Sequence, residues 1–94
     1  VRAGDGLCRW GGEEFLLLLE DCSLDQAREV AEKARLAVTA VPLALEGAGE
    51  IPLTVSAGVA ELRPGEDAEG LIARADVALY QAKAAGRNRI VCAE

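Results

Sequence analysis

Histidine and methionine are absent from these 94 residues, aromatic side chains make up 3%, and cysteine and proline occur three times each. Without histidine, the usual proton carrier near neutral pH and the commonest metal ligand are both missing. Acid–base chemistry and metal binding therefore fall to carboxylates. Cys8, Cys22 and Cys92 are an odd set without CxxC spacing, which indicates neither a disulfide framework nor a zinc site. Reduced, buried thiols in a cytoplasmic protein are the reading that suits them, because free cysteine packs as a small hydrophobe. The lack of methionine leads to the expectation that the chain is part of a longer protein. No apolar run approaches the ~18 residues of a membrane span, and the opening residues lack the basic-then-apolar layout of a signal peptide. A soluble chain without membrane contact is expected.

Ten basic against sixteen acidic side chains give a formal charge of −6, which argues against a surface for nucleic-acid polymers or a polybasic membrane patch. A polyanionic ligand must be held by local cations or by metal. The 51% apolar and 28% charged content fits one small domain. A domain of this size buries roughly 60 to 68% of the surface its unfolded chain exposes.

Leu7-Cys8-Arg9-Trp10 and Phe15-Leu16-Leu17-Leu18-Leu19 flank Gly11-Gly12-Glu13-Glu14, a pattern that predicts two strands joined by a tight turn. The leucine run does not alternate with polar residues, so that strand is expected to be covered on both faces. Ser23 and Gln26 form a capping-box signature, and Ala27, Val30, Ala31, Ala34, Val38 and Val41 recur at helical spacing until Pro42. A helix from about Leu24 to Ala40 follows. Ile51 to Ala60 reads as a strand with Pro52 confined to its start. Arg63-Pro64-Gly65-Glu66 is a turn, and Ala68, Leu71, Ile72, Ala75, Leu79 and Ala82 mark a second helix with Gly86 at its left-handed cap. Arg89 to Ala93 closes as a short strand. The order strand, strand, helix, strand, helix, strand predicts an α/β sandwich with two helices packed on one sheet.

Two stretches could carry chemistry. Glycines in Gly11-Gly12-Glu13-Glu14 let the backbone approach a bulky ligand, and the paired carboxylates are hard oxygen ligands of the kind Mg²⁺ takes together with substrate phosphates. An ordinary hairpin with a solvated acidic tip is the alternative. Lys83 and Arg87 stand at i and i+4 at the end of the second helix. Cations favour a helix C-terminus for dipole reasons, yet the same pair could clamp a polyphosphate, the arginine bidentately and the lysine as a point charge.

Arg9-Trp10-Gly11-Gly12-Glu13-Glu14-Phe15 resembles the signature of the GGDEF domain of diguanylate cyclases in its GGEEF form. Leu53-Thr54-Val55-Ser56-Ala57-Gly58-Val59-Ala60 and the stretch from Ala75 to Arg89 are similar to the family's strand and last-helix motifs. The resemblance spans nearly the whole chain. It implies a nucleotidyl-cyclase-like palm, with two helices on a mostly antiparallel sheet, and an enzyme that condenses two GTP molecules into cyclic di-GMP with release of pyrophosphate. Carried over by position, Glu13 would ligate the metal and serve as general base, and Glu14 would assist at the metal. Gly11, Gly12, Lys83 and Arg87 would bind substrate. The metal implied is Mg²⁺ or Mn²⁺, which neutralises charge on a transferring phosphoryl group. Two domains, each holding one GTP, would face each other.

Arg2-Ala3-Gly4-Asp5 is similar to the family's RxxD product-inhibition site, at the family's offset from the glycine pair. Arg2 would stack on and bond a guanine of cyclic di-GMP, and Asp5 would accept from its edge. A third inhibitory residue falls at or near Lys33, where lysine lacks the planar fork of the family's arginine. The family's domain is longer, so residues 1–94 are expected to be its C-terminal portion, without the first strand and first helices. That half supplies a metal-sharing aspartate and the residues that read guanine. The expectations are therefore that this segment alone is inactive, and that the strand beginning at Phe15, deprived of its neighbour, leads to self-association or strand exchange with a second copy, or to a rearranged sheet. A non-catalytic cyclic di-GMP-binding or self-associating regulatory module is the alternative.

Overall fold

The computed structural model describes residues 3–11, 15–47, 49–51 and 53–94. Strands β1 (Gly6–Trp10) and β2 (Phe15–Leu19) form an antiparallel hairpin whose register runs from Gly6 opposite Leu19 to Trp10 opposite Phe15. On its other side β1 pairs antiparallel with β5 (Ala57–Glu61), and β5 pairs parallel with β6 (Ile90–Cys92). The sheet order is β2-β1-β5-β6. It is mostly antiparallel, as expected.

Side-chain alternation splits the core between the two faces of this sheet. Cys8 and its cross-strand partner Val59 lie on one face, packed with Trp10, Ala27 and Ala31, whereas Leu7 and its partner Ala60 lie on the other with Leu71 and Ala75. Helix α1 (Leu24–Thr39) therefore covers one face and α2 (Ala68–Ala84) the opposite one. The first helix starts at the expected capping box: the Ser23 hydroxyl accepts from the Gln26 amide at 3.2 Å, and Gln26 Oε1 accepts from the Ser23 amide at 2.9 Å. Its buried residues are small, Ala27 and Ala31, while Val30 and Val41 of the expected stripe point to solvent.

Helix α2 rides directly on β5 at Gly58. A Cβ there would lie 2.1 Å from the Ala75 carbonyl oxygen and 2.4 Å from the Leu79 nitrogen. The end of α2 is a Schellman turn: the Gly86 amide donates to Lys83 O at 3.3 Å, the Arg87 amide donates to Ala82 O at 2.9 Å, and Gly86 has φ +121. This is the left-handed cap the sequence pattern predicts.

Two expectations are corrected. The strand expected from Ile51 to Ala60 is divided: Ile51 ends β4 (Gly49–Ile51), which pairs with β3 (Leu43–Leu45) in a separate two-stranded sheet, and β5 begins only at Ala57. Leu53 and Thr54 are exposed, whereas Val55 packs against the core and Ser56 is buried, so the chain turns inward before β5 begins. Pro52 lies outside the described residues. The leucines of β2, expected to be covered on both faces, are open, with Leu16, Leu17 and Leu18 at 41, 39 and 42% exposure. Both helices lie over the strands further in, and β2 is the sheet edge.

All three cysteines are free thiols. Burial beside the other two pushes the Cys8 thiol up to about 11. No helix among the described residues is long and apolar enough to cross a membrane.

Candidate functional site

The register of β1 places Gly11 at the end of the hairpin, one residue after Trp10, against the last turn of α2. A Cβ on Gly11 would lie 2.6 Å from Lys83 Cε and 3.2 Å from Lys83 Nζ. A side chain at this position would displace the end of Lys83 from the place it takes against the turn. Lys83 and Arg87 line a common cleft of about 110 Å³ with Gly11, Thr54, Val55 and Ser56. Gly12, Glu13 and Glu14 lie outside the described residues, as does Arg2. Among the described residues no group of three or more acidic, cysteine or histidine side chains could hold a metal.

The two cations meet by a route the spacing does not suggest. Residues at i and i+4 share a helix face, but α2 ends at Ala84, and Arg87, whose amide closes the Schellman turn, has φ +64. The cap itself turns Arg87 back over the cleft. Gly11 is fixed from the other side, its amide donating to Ser56 O at 3.0 Å. Beneath the turn, Arg9 Nε lies 2.7 Å from Asp76 Oδ1, which ties the end of β1 to α2.

Of the expected inhibitory site, Asp5 and Lys33 lie among the described residues. Asp5 is buried at 2% exposure, and its Oδ1 accepts the Asp21 amide at 3.0 Å, at a turn where Asp21 has φ 48. Lys33 is exposed on α1, where it lines a separate hollow with Arg28, Glu29 and Glu32.

Thr54, Val55 and Ser56 are cleft residues to which the sequence reading assigned no role, although they fall within a stretch resembling the family. Ser56 is one of two polar residues in that stretch, with Thr54, and nothing in the pattern sets it apart. Its burial at 5% becomes visible only in the fold.

A sheet flanked by one helix on each face, with a glycine turn opposite a cationic helix end, is the arrangement of a nucleotidyl-cyclase-like domain. Residues 1–89 match the family described as "Diguanylate cyclase, GGDEF domain". The chain belongs to that family. It is 43% identical over 93 residues to the response regulator PleD of Caulobacter vibrioides, covering 97% of this chain and 20% of that protein. It is 46% identical over 93 residues to diguanylate cyclase DgcM of Escherichia coli, covering 99% of this chain and 22% of that one. Among solved structures, the GGDEF domain of DgcB from Caulobacter crescentus in complex with c-di-GMP superposes with a TM-score of 0.81 at 37% identity, covering 89% of this chain and 49% of that chain. The active GGEEF domain of a diguanylate cyclase from Vibrio cholerae superposes with a TM-score of 0.77 at 35% identity, covering 93% and 55%. The chain thus spans about a fifth of these curated relatives and about half of the solved chains.

Proposed function

We propose that the protein carrying this chain is a diguanylate cyclase, condensing two GTP molecules into cyclic di-GMP with release of pyrophosphate from each. The observation that carries the reading is the cleft in which Gly11, Lys83 and Arg87 come together. Lys83 offers a point charge and Arg87 a planar fork to a triphosphate. Gly11 and Gly12 let the backbone come close to the nucleotide, and the missing Cβ of Gly11 leaves the Lys83 stem its place.

Glu13 and Glu14 are a donor set suited to a hard divalent cation, Mg²⁺ or Mn²⁺, with substrate oxygens completing the coordination. When bound, the metal neutralises charge that builds up on the phosphoryl group under transfer. Glu13 takes the proton from the attacking 3′-hydroxyl. Lys83 and Arg87 orient the triphosphate and stabilise the departing pyrophosphate.

Two carboxylates alone bind such a metal weakly, so residues 1–94 by themselves form no cyclic di-GMP. Product binding falls to Arg2, Asp5 and Lys33, with the lysine the weakest of the three. The open leucines of β2 support association of two copies of this segment across the sheet edge.

Chromatographic measurement of cyclic di-GMP made from GTP and Mg²⁺ tests the activity. The full polypeptide turns over, Glu13→Gln abolishes turnover, and Lys83→Ala and Arg87→Ala each raise KM for GTP. Loss of neither activity nor GTP affinity in these variants would overturn the reading. Calorimetry with cyclic di-GMP on Arg2→Ala and Asp5→Asn tests the product site.

A further inference from the structure

Ser56 joins the two halves of the cleft. It is 5% exposed. Its carbonyl accepts the Gly11 amide at 3.0 Å, and its hydroxyl accepts the Asn88 amide at 3.0 Å. The next peptide continues the tie, the Ala57 amide donating to Arg89 O at 3.1 Å.

The hydroxyl bond falls where the backbone most needs it. Arg87 and Asn88 have φ of 64 and 48, left-handed values that residues with a Cβ adopt at a cost and keep only when their surroundings over-determine them. Three other bonds help. The Arg87 amide donates to Ala82 O at 2.9 Å, Arg89 Nε donates to Arg87 O at 3.0 Å, and Arg35 donates to Asn88 Oδ1 at 2.8 Å. Only the Ser56 bond links this segment to the residue that also holds Gly11.

We propose that Ser56 is a positioning residue for the phosphate clamp, its hydroxyl holding Arg87 over the cleft and its carbonyl setting the glycine turn opposite. The inference rests on reading Lys83 and Arg87 as a triphosphate clamp. Without the hydroxyl, the Asn88 amide loses its partner and the segment relaxes toward right-handed values, carrying Arg87 away from Gly11.

The test uses the full polypeptide, calorimetry with a non-hydrolysable GTP analogue and Mg²⁺, and steady-state kinetics. Ser56→Ala weakens the analogue about tenfold, the effect of losing one part-buried hydrogen bond that holds the left-handed turn, and raises KM with kcat retained. Ser56→Thr, which keeps a hydroxyl, binds better than Ser56→Ala. Ser56→Ala combined with Arg87→Ala binds no more weakly than Arg87→Ala alone, because both remove the same contact. Ser56→Ala combined with Asn88→Gly recovers affinity, since glycine takes the left-handed conformation without help. That double variant also carries the test should Ser56→Ala fail to fold, and affinity as poor as that of Arg87→Ala would then overturn the proposal. Unchanged affinity in Ser56→Ala, or a loss that adds in full to that of Arg87→Ala, overturns the Ser56 proposal and leaves the clamp standing. Unchanged affinity in Arg87→Ala overturns the clamp, and the role of Ser56 with it.

Discussion

Arg9 Nε of β1 lies 2.7 Å from Asp76 Oδ1 of α2, with the arginine side chain 16% exposed and the aspartate 48% exposed. The pair stands two residues before Gly11 and seven before Lys83, so it links the strand that presents the turn to the helix that presents the cation. Because Asp76 is half open to water, its removal is mild. Asp76→Ala costs about 1 kcal/mol, at the upper end for a partly exposed pair, and urea unfolding of the variant reads it. High salt shrinks the difference between the two proteins.

Gly58 makes a sharper demand. A methyl group there meets the Ala75 carbonyl oxygen at 2.1 Å, and that atom belongs to helix backbone that cannot rotate aside. Gly58→Ala therefore forces α2 off the sheet and costs about 3 kcal/mol or more, as overpacking of a close contact does. A fall in the urea midpoint with an unchanged slope is the expected outcome.

Acid stability carries the mark of Glu66. The Arg74 guanidinium, bonded to Glu66 at 2.7 and 2.8 Å, holds its carboxyl down at about 2, and the Arg63 amide adds to the effect. The native value is below the ordinary carboxylate value of 4.5, so the folded state binds this proton less readily than the unfolded one. The contribution is complete above that ordinary value and is lost as pH falls toward 2. Thermal melts across this acid range show it as a slope that Glu66→Gln flattens.

The edge of β2 makes the last prediction. Leu16, Leu17 and Leu18 are each about two-fifths exposed on a strand paired only with β1 among the described residues. Sedimentation of residues 1–94 shows self-association that rises with concentration, and Leu17→Lys weakens it, because an edge charge opposes further strand pairing. A monomer at all concentrations would remove the proposed association.

Both helices were legible in the sequence because local rules govern them. Ser23 and Gln26 announce one start, and Gly86 announces one end. Periodicity also picked out Leu71, Ala75, Leu79 and Ala82 as the buried side of α2. Less legible was the stretch from Ile51 to Ala60. An apolar run has the same appearance whether it forms one strand or is shared between two sheets, and partners far along the chain decide which. The same holds for the leucines of β2, whose composition asks for cover that no local rule can supply.

For the site, the residue types in Gly11 to Glu14, Lys83 and Arg87 were enough to suggest which groups could bind a nucleotide and a metal. Their spacing misdescribed how the cations meet. Arg87 reaches the cleft through a left-handed turn, and Ser56, buried between the turn and the clamp, carried no conspicuous sequence signal. By itself the sequence determined the helices, their caps and the kinds of chemistry on offer, since these depend on neighbours within a few residues. Only the tertiary structure decided which strand became the edge and which residue bonds Gly11 to the end of α2. Those outcomes depend on contacts between segments distant in the chain, whose energies no local pattern encodes.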